Sequence, residues 1–197
     1  MTLNFYNQRA RQYFFQTINA KMTEQYERFL PLIPKEGCIL DLGCGSGRDS
    51  YYFKQKGYKI VAVDGSKELA KHASDLLGQP VLNQMFHEIN FNNQFDGIWA
   101  CASLLHVCQS QMFDILTKMK RSLKPGGIIY LSVKEGDGCQ LEEGRLFQYY
   151  TSKQLCQTIT QCQGLNVEEL WKTVEVREPA QKVIWLNVIV KKEKVAI

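Results

Sequence analysis

The chain is predicted to fold as an α/β domain built on a seven-stranded, mainly parallel sheet, with helices on both faces and an antiparallel last strand. Three observations carry that expectation. Short apolar runs alternate with helical patterns from Cys38 to Val133, the signature of a parallel sheet covered on both sides. A glycine-rich loop joins the first of those runs to its helix. Near the end, two strand-like runs are separated by only five residues, Arg177 to Gln181, too short a link for anything but an antiparallel pair. The 197 residues hold one such domain and a short appendage. The expected division is a helical cap over 1–34 and the main domain over 35–197.

Taken in order, Tyr6, Ala10, Tyr13, Phe14, Thr17 and Ile18 recur at helical spacing, with Asn4 as a cap. Met22, Tyr26, Phe29 and Leu30 form a second amphipathic set, ended by Pro31 and Pro34. Strands follow at Cys38–Leu42, Tyr58–Val63, Pro80–Phe86, Asp96–Ala102 and Ile128–Val133. Helices are expected between them at Arg48–Lys56, Ser66–Leu77 and about Gln111–Leu123, the first two closed by Gly57 and Gly78. Glu135 to Gly144 is polar and carries three glycines, so it reads as a surface loop. Thr151 or Ser152 caps a helix to about Gln161, and Asn166–Val176 and Lys182–Val190 are the final strands.

Composition narrows the function. A hydrophobic fraction of 45% and a charged fraction of 22% are those of a globular core rather than a disordered chain. The net charge of +4 comes without a basic arm, which argues against nucleic acid; Lys191, Lys192 and Lys194 read as a solubilising end. None of the seven cysteines forms a C-x-x-C pair, and His72, His87 and His106 are scattered, so no metal site is expected. With no signal peptide or long apolar span, the expectation is a cytoplasmic protein with reduced thiols and no membrane association.

The segment from Ile39 to Arg48, Ile-Leu-Asp-Leu-Gly-Cys-Gly-Ser-Gly-Arg, is the most informative. It leaves a strand and opens a helix at the carboxyl edge of the sheet, where open α/β folds bind ligands. Glycines at 43, 45 and 47 let the backbone approach a ligand closely. The dinucleotide fingerprint G-x-G-x-x-G would need glycine where Arg48 stands. Asp41, just before the loop, disfavours a phosphate and suits a ligand bearing ammonium and sulfonium charge. Asp64 ends the second strand 17 residues beyond Gly47, where an acid accepts ribose hydroxyls. Ser66 supplies the cap of the next helix, and Cys44 reads as a small space-filler.

These residues resemble the class I S-adenosylmethionine-dependent methyltransferases. Asp41–Gly47 is similar to their first motif and Asp64 to their second-strand acid. Phe95-Asp96-Gly97-Ile98-Trp99-Ala100 resembles their fourth-strand motif, and Leu123-Lys124-Pro125-Gly126-Gly127 the turn before their fifth strand. The resemblance runs from about Tyr6 to Val190 and implies a Rossmann-like fold. The implied cofactor is S-adenosylmethionine, leaving as S-adenosylhomocysteine. The lead-in from Tyr6 to Tyr13 looks most like small-molecule enzymes, including the tellurite-resistance and thiol methyltransferase type. The cofactor set so implied is Tyr6, Tyr13, Asp41, Gly43, Cys44, Gly45, Asp64, Gly65, Ser66, Met85, Phe86 and Ala100. One departure stands out: Met85 and Phe86 occupy the place of the acid that commonly meets the adenine amine. Phe86 is then either an apolar face for adenine or plain core.

A sulfonium methyl is already activated, so alignment and exclusion of water are the main requirements, and orientation alone can lower a barrier by ~7–11 kcal/mol. His106, after the fourth strand, is the candidate general base, or else a packed histidine. Arg145, Phe147, Tyr149 and Tyr150 are candidate walls of a substrate pocket, or else loop anchors. The motifs of nucleic-acid methylating enzymes are missing, so the expected partner is a small-molecule acceptor, with the protein a monomer or homodimer. A non-catalytic, cofactor-binding regulatory or scaffold protein is the alternative. The first helix is expected to fold over the site as a lid.

Overall fold

The computed structural model describes residues 2–175 and 183–194. Seven strands form one sheet: β1 (Cys38–Leu42), β2 (Lys59–Asp64), β3 (Leu82–Asn83), β4 (Phe95–Ala100), β5 (Leu123–Lys134), β8 (Leu165–Val174) and β9 (Ile184–Lys192). Two more, β6 (Cys139–Glu142) and β7 (Arg145–Gln148), pair as a separate hairpin. The sheet order is β3-β2-β1-β4-β5-β9-β8. Strands β1 to β5 pair in parallel, and β9 runs antiparallel to both β5 and β8. The expected mainly parallel sheet with an antiparallel last strand is therefore present. The connection Arg177–Gln181, with Val176 and Lys182 at the expected strand ends, lies outside the described residues.

Strand periodicity sorts the core onto two faces. Leu40, Leu42, Ile98, Ile129 and Leu131 pack with α6 (Gln109–Ser122) and α7 (Ser152–Gln161) through Met112, Leu116 and Leu155. Ile39, Trp99, Ile128, Tyr130 and Ile189 face the other way, onto Phe53 of α4 (Arg48–Gln55) and onto Tyr26 and Phe29 of α3 (Thr23–Phe29). Helix α5 (Lys67–Leu77) is capped by Ser66, whose side chain accepts from Leu69 N, and ended by Gly78 in the left-handed region. Thr151 and Gln154 form a complete capping box at α7.

Three sequence expectations change. The single helix over Asn4–Ile18 is two, α1 (Thr2–Gln8) and α2 (Ala10–Thr17), because Arg9 leaves the helical region at φ −114°, ψ 16°. Residues seven apart on an unbroken helix are ~10.5 Å apart along its axis; the break lets the Tyr6 and Tyr13 rings meet edge to face at 5.1 Å. The strand expected over Pro80–Phe86 shrinks to Leu82–Asn83, since β3 is an edge strand and the chain then turns inward. The polar loop Glu135–Gly144 contains β6, which reverses through Glu143 and Gly144, both at positive φ. That is the backbone of a tight hairpin turn.

Candidate active site

The loop between β1 and α4 is stitched to the end of β2, where the N–H groups of Gly43 and Cys44 both donate to the Val63 carbonyl (2.8 and 3.0 Å). Gly43 sits at φ +84°, and a Cβ there would lie 2.4 Å from Cβ of Ser103. No side chain fits in that space. Gly45 is also left-handed, at φ +54°, but its added Cβ would meet only the Tyr13 ring, at 3.4 Å.

Asp64 closes the other side. One carboxylate oxygen accepts from Gly45 N and the other from Ser66 N, each at 2.8 Å. Burial raises its pKa to about 6, against the pull of those two N–H donors. The loop and this carboxylate front a cavity of about 690 Å³ along the carboxyl edge of the sheet. On the β2 and β3 side it is lined by Leu3, Gly65, Met85 and Phe86. Tyr6, Tyr13 and Gly43–Ser46 line the middle, while Cys101, Tyr130, Ser132, Trp185 and Asn187 line the β5 and β9 side. A Cβ on Gly65 would come within 3.1 Å of Leu3 and 3.2 Å of Met85, so its absence keeps that end open.

Ten sequence-predicted residues converge on this cavity: Tyr6, Tyr13, Gly43, Cys44, Gly45, Asp64, Gly65, Met85, Phe86 and His106. Asp41, Ser66 and Ala100 stand behind its wall, all buried. Asp41 accepts from Ser50 Oγ at 2.6 Å. Burial and the neighbouring Asp49 push its pKa well above the usual carboxylate range.

The expected substrate wall is displaced. Arg145, Phe147, Tyr149 and Tyr150 do not line the cavity, because the hairpin turns β7 onto β6 and away from the sheet edge. Arg145 meets α1 instead: its guanidinium lies 4.1 Å from the Phe5 ring centroid and 5.0 Å from that of Phe147. Leu146 N donates to Thr2 Oγ1 at 3.1 Å. Tyr149 donates to Glu142 at 2.7 Å, and Tyr150 is fully buried.

His106 bonds through both ring nitrogens. Nδ1 is 2.6 Å from the Leu146 carbonyl, which can only accept, so Nδ1 carries the proton and Nε2 accepts from the Tyr6 hydroxyl at 2.8 Å. Burial, together with the Arg145 and Lys134 charges, lowers its pKa to about 4. A neutral imidazole with its lone pair engaged is a poor base.

Sequence reasoning missed a buried knot beside the loop. Asp49 accepts from Arg48 Nε (2.6 Å), Tyr26 (2.5 Å), Trp99 Nε1 (2.8 Å) and Arg48 Nη2 (2.9 Å). Four donors fill both oxygens and hold the charge off the cavity; accordingly its pKa is lowered, burial being outweighed by Arg48 and these bonds. The cavity's β9 side was also missed. Its signal was Asn187, a polar residue inside the apolar run Leu186–Val190.

The chemistry of the lining fits S-adenosylmethionine. A buried carboxylate, the apolar side chains of Met85 and Phe86, and a close-approach glycine loop stand in one cavity. Residues 40–131 match the family model of a methyltransferase domain. A putative methyltransferase, YqeM, of Bacillus subtilis (strain 168) is 34% identical over 109 residues, which cover 51% of this chain and 44% of that protein. The cypemycin N-terminal methyltransferase of a Streptomyces species is 30% identical over 131 residues, covering 62% and 53%. The chain thus spans about half the length of these curated relatives. Among solved structures, the Burkholderia thailandensis 1,6-didemethyltoxoflavin-N1-methyltransferase, with S-adenosylhomocysteine bound, shares the fold at a TM-score of 0.77 and 21% identity, covering 97% of this chain and 85% of that one. Residues 40–131 are thus similar to a methyltransferase domain, and the chain shares the fold of that solved methyltransferase.

Proposed function

We propose that the protein transfers a methyl group from S-adenosylmethionine to a small-molecule acceptor held in the same cavity. One observation carries this reading. The cavity continues past the glycine loop to Cys101, Ser132 and Asn187, lined also by α1, α2, residues 20–22 and the start of α3, so an acceptor there is held in a partly covered chamber of small-molecule size.

The bound cofactor supplies an electrophilic methyl carbon. Asp64 would receive the ribose hydroxyls, Met85 and Phe86 would hold the adenine, and the Gly43–Ser46 backbone would hold the amino-acid portion. Tyr6 and Tyr13 would cover the loop and exclude water, while the β5 and β9 side would orient the acceptor toward the methyl. His106 acts as a positioning residue: it fixes the Tyr6 hydroxyl and draws no proton from the acceptor.

The test has two arms. Calorimetry with S-adenosylhomocysteine reports binding, and formation of S-adenosylhomocysteine from S-adenosylmethionine with metabolite extracts reports turnover. Binding together with extract-dependent turnover supports the proposal. Tight binding without turnover in any extract favours a cofactor-binding regulatory or scaffold protein.

A further inference from the structure

The acceptor end of the cavity presents few polar groups that are not already satisfied. Tyr130 donates to Asn187 Oδ1 at 2.8 Å, and Asn187 Nδ2 donates to Thr173 Oγ1 at 3.0 Å. Ser132 Oγ accepts from Ala102 N at 2.9 Å and lies 3.8 Å from Cys101 Sγ. Lys172 is ion-paired with Glu135 at 2.5 Å, and Asp49 is filled by its four donors. A ligand that depends on strong hydrogen bonds would have to break these pairs.

What this end does present is an indole. Of the three tryptophans, Trp99 stacks on Tyr130 at 3.9 Å, and Trp171 lies beneath the Arg28 guanidinium. Trp185 lines the cavity, is half-buried, and stacks on no other ring among the described residues. Its cross-strand neighbours are Lys134 on β5 and Thr173 on β8, so the antiparallel ladder on both sides holds it in place. Val174, exposed on β8, also lines the cavity and gives this end an apolar approach.

Resting on the methyl-transfer reading above, we infer that the acceptor is a small planar heteroaromatic molecule, stacked on Trp185 and methylated at a pyridine-type ring nitrogen. Such a nitrogen carries a lone pair and no proton. That lone pair forms the new N–CH₃ bond as the S–CH₃ bonding pair returns to sulfur. The positive charge passes from the sulfonium to the ring, and no proton is left to remove. This suits a site whose candidate base is already committed. His106 is engaged at both nitrogens, and the half-buried Cys101 thiol, pushed up to about 12 by desolvation and by Asp49, stays protonated. The indole face gains as the reaction proceeds, because it attracts a cation more strongly than a neutral ring. Trp185 therefore favours the transition state over the bound acceptor.

The experiment uses the whole chain saturated with S-adenosylhomocysteine, with isoquinoline as probe and cyclohexanethiol as a neutral, non-planar comparison. Isoquinoline is expected to bind at least tenfold tighter than cyclohexanethiol. Trp185→Ala should remove that preference, and Trp185→Phe should retain it within about threefold. With S-adenosylmethionine, mass spectrometry should detect the N-methylisoquinolinium cation, at a rate lowered at least tenfold by Trp185→Ala. Equal binding of the two probes, preferential methylation of the thiol, or indifference to Trp185→Ala with unchanged S-adenosylhomocysteine affinity would overturn the inference and leave the methyl-transfer reading intact. Failure of wild-type protein to bind S-adenosylhomocysteine would instead sink that earlier reading.

Discussion

The Tyr6 hydroxyl donates to Nε2 of His106 across 2.8 Å because the other ring nitrogen is committed to the Leu146 carbonyl. The tautomer is therefore set by a hairpin strand, and the helix above the cavity reads it. If His106 positions Tyr6 and takes no proton, the pH–rate profile should be flat between pH 6 and 8. His106→Asn, which keeps a donor for Leu146, should cost less than tenfold in turnover. A profile with a limb near pH 6.5 that disappears in the variant would restore the role of general base. Stability follows as well. The folded-state pKa of about 4 lies below the ordinary 6.5, so the neutral ring favours the fold above pH 6.5, and that contribution is lost as pH falls through 4.

Asp64 titrates with the opposite sign. Its folded pKa of about 6 lies above the ordinary 3.8, so without ligand the fold gains stability on acidification through that window. Ribose hydroxyls need the carboxylate, so affinity for S-adenosylhomocysteine should fall below pH 6, approaching tenfold per unit. Asp64→Ala should bind at least tenfold more weakly at pH 7.5, given ~1.5–3 kcal/mol for a charge-assisted hydrogen bond, and should lose the pH dependence. Calorimetry across pH 5 to 8 measures both.

The two loop glycines should differ in severity. Gly43→Ala forces a Cβ to 2.4 Å from Ser103 in a left-handed backbone, whereas Gly45→Ala meets only a tyrosine edge. Thermal denaturation should show Gly43→Ala as clearly the more destabilising, with cofactor binding abolished. Gly45→Ala should fold and bind detectably. The reverse order would mean that the loop follows another path.

Helix α1 contributes no buried residue, while α2 buries Ala10 and Thr17 and bonds Ser46 through Thr17 at 3.0 Å. Deleting residues 1–8 should therefore leave the melting temperature within roughly 4 °C, the scale of ~1 kcal/mol for a domain this size. Turnover should drop at least tenfold. Hydrogen exchange in α1 should slow when S-adenosylhomocysteine binds. Identical exchange with and without ligand would make α1 static packing rather than a lid.

The sheet was legible because each strand and helix announces its own period, and Asp64 because an acid at a strand end is a local feature. The Asp49 knot was not legible. Its donors come from residues 26, 48 and 99, and only the fold brings them together. That the expected wall residues do not line the cavity was illegible for a related reason. Arg145 to Tyr150 follow the fifth strand, but the Glu143–Gly144 reversal lacks the usual Asn-Gly or Asp-Gly pair, so the hairpin that turns these residues away from the cavity left little trace. Trp185 and Asn187 sit on a strand whose position beside β5 is settled by long-range pairing alone.

That pairing bears on how the molecule is made. Strand β9 is the last of the described strands in chain order, yet it lies inside the sheet, between β5 and β8. As the polypeptide leaves the ribosome, β5 waits with an unpaired edge until residues 184–192 emerge, and β8 has no partner before then. A nascent chain arrested near residue 170 carries the glycine loop and Asp64 but exposes a sticky strand. Folding of the sheet is thus incomplete until residues 184–192 emerge, and the chamber lined by Asn187 forms only after them.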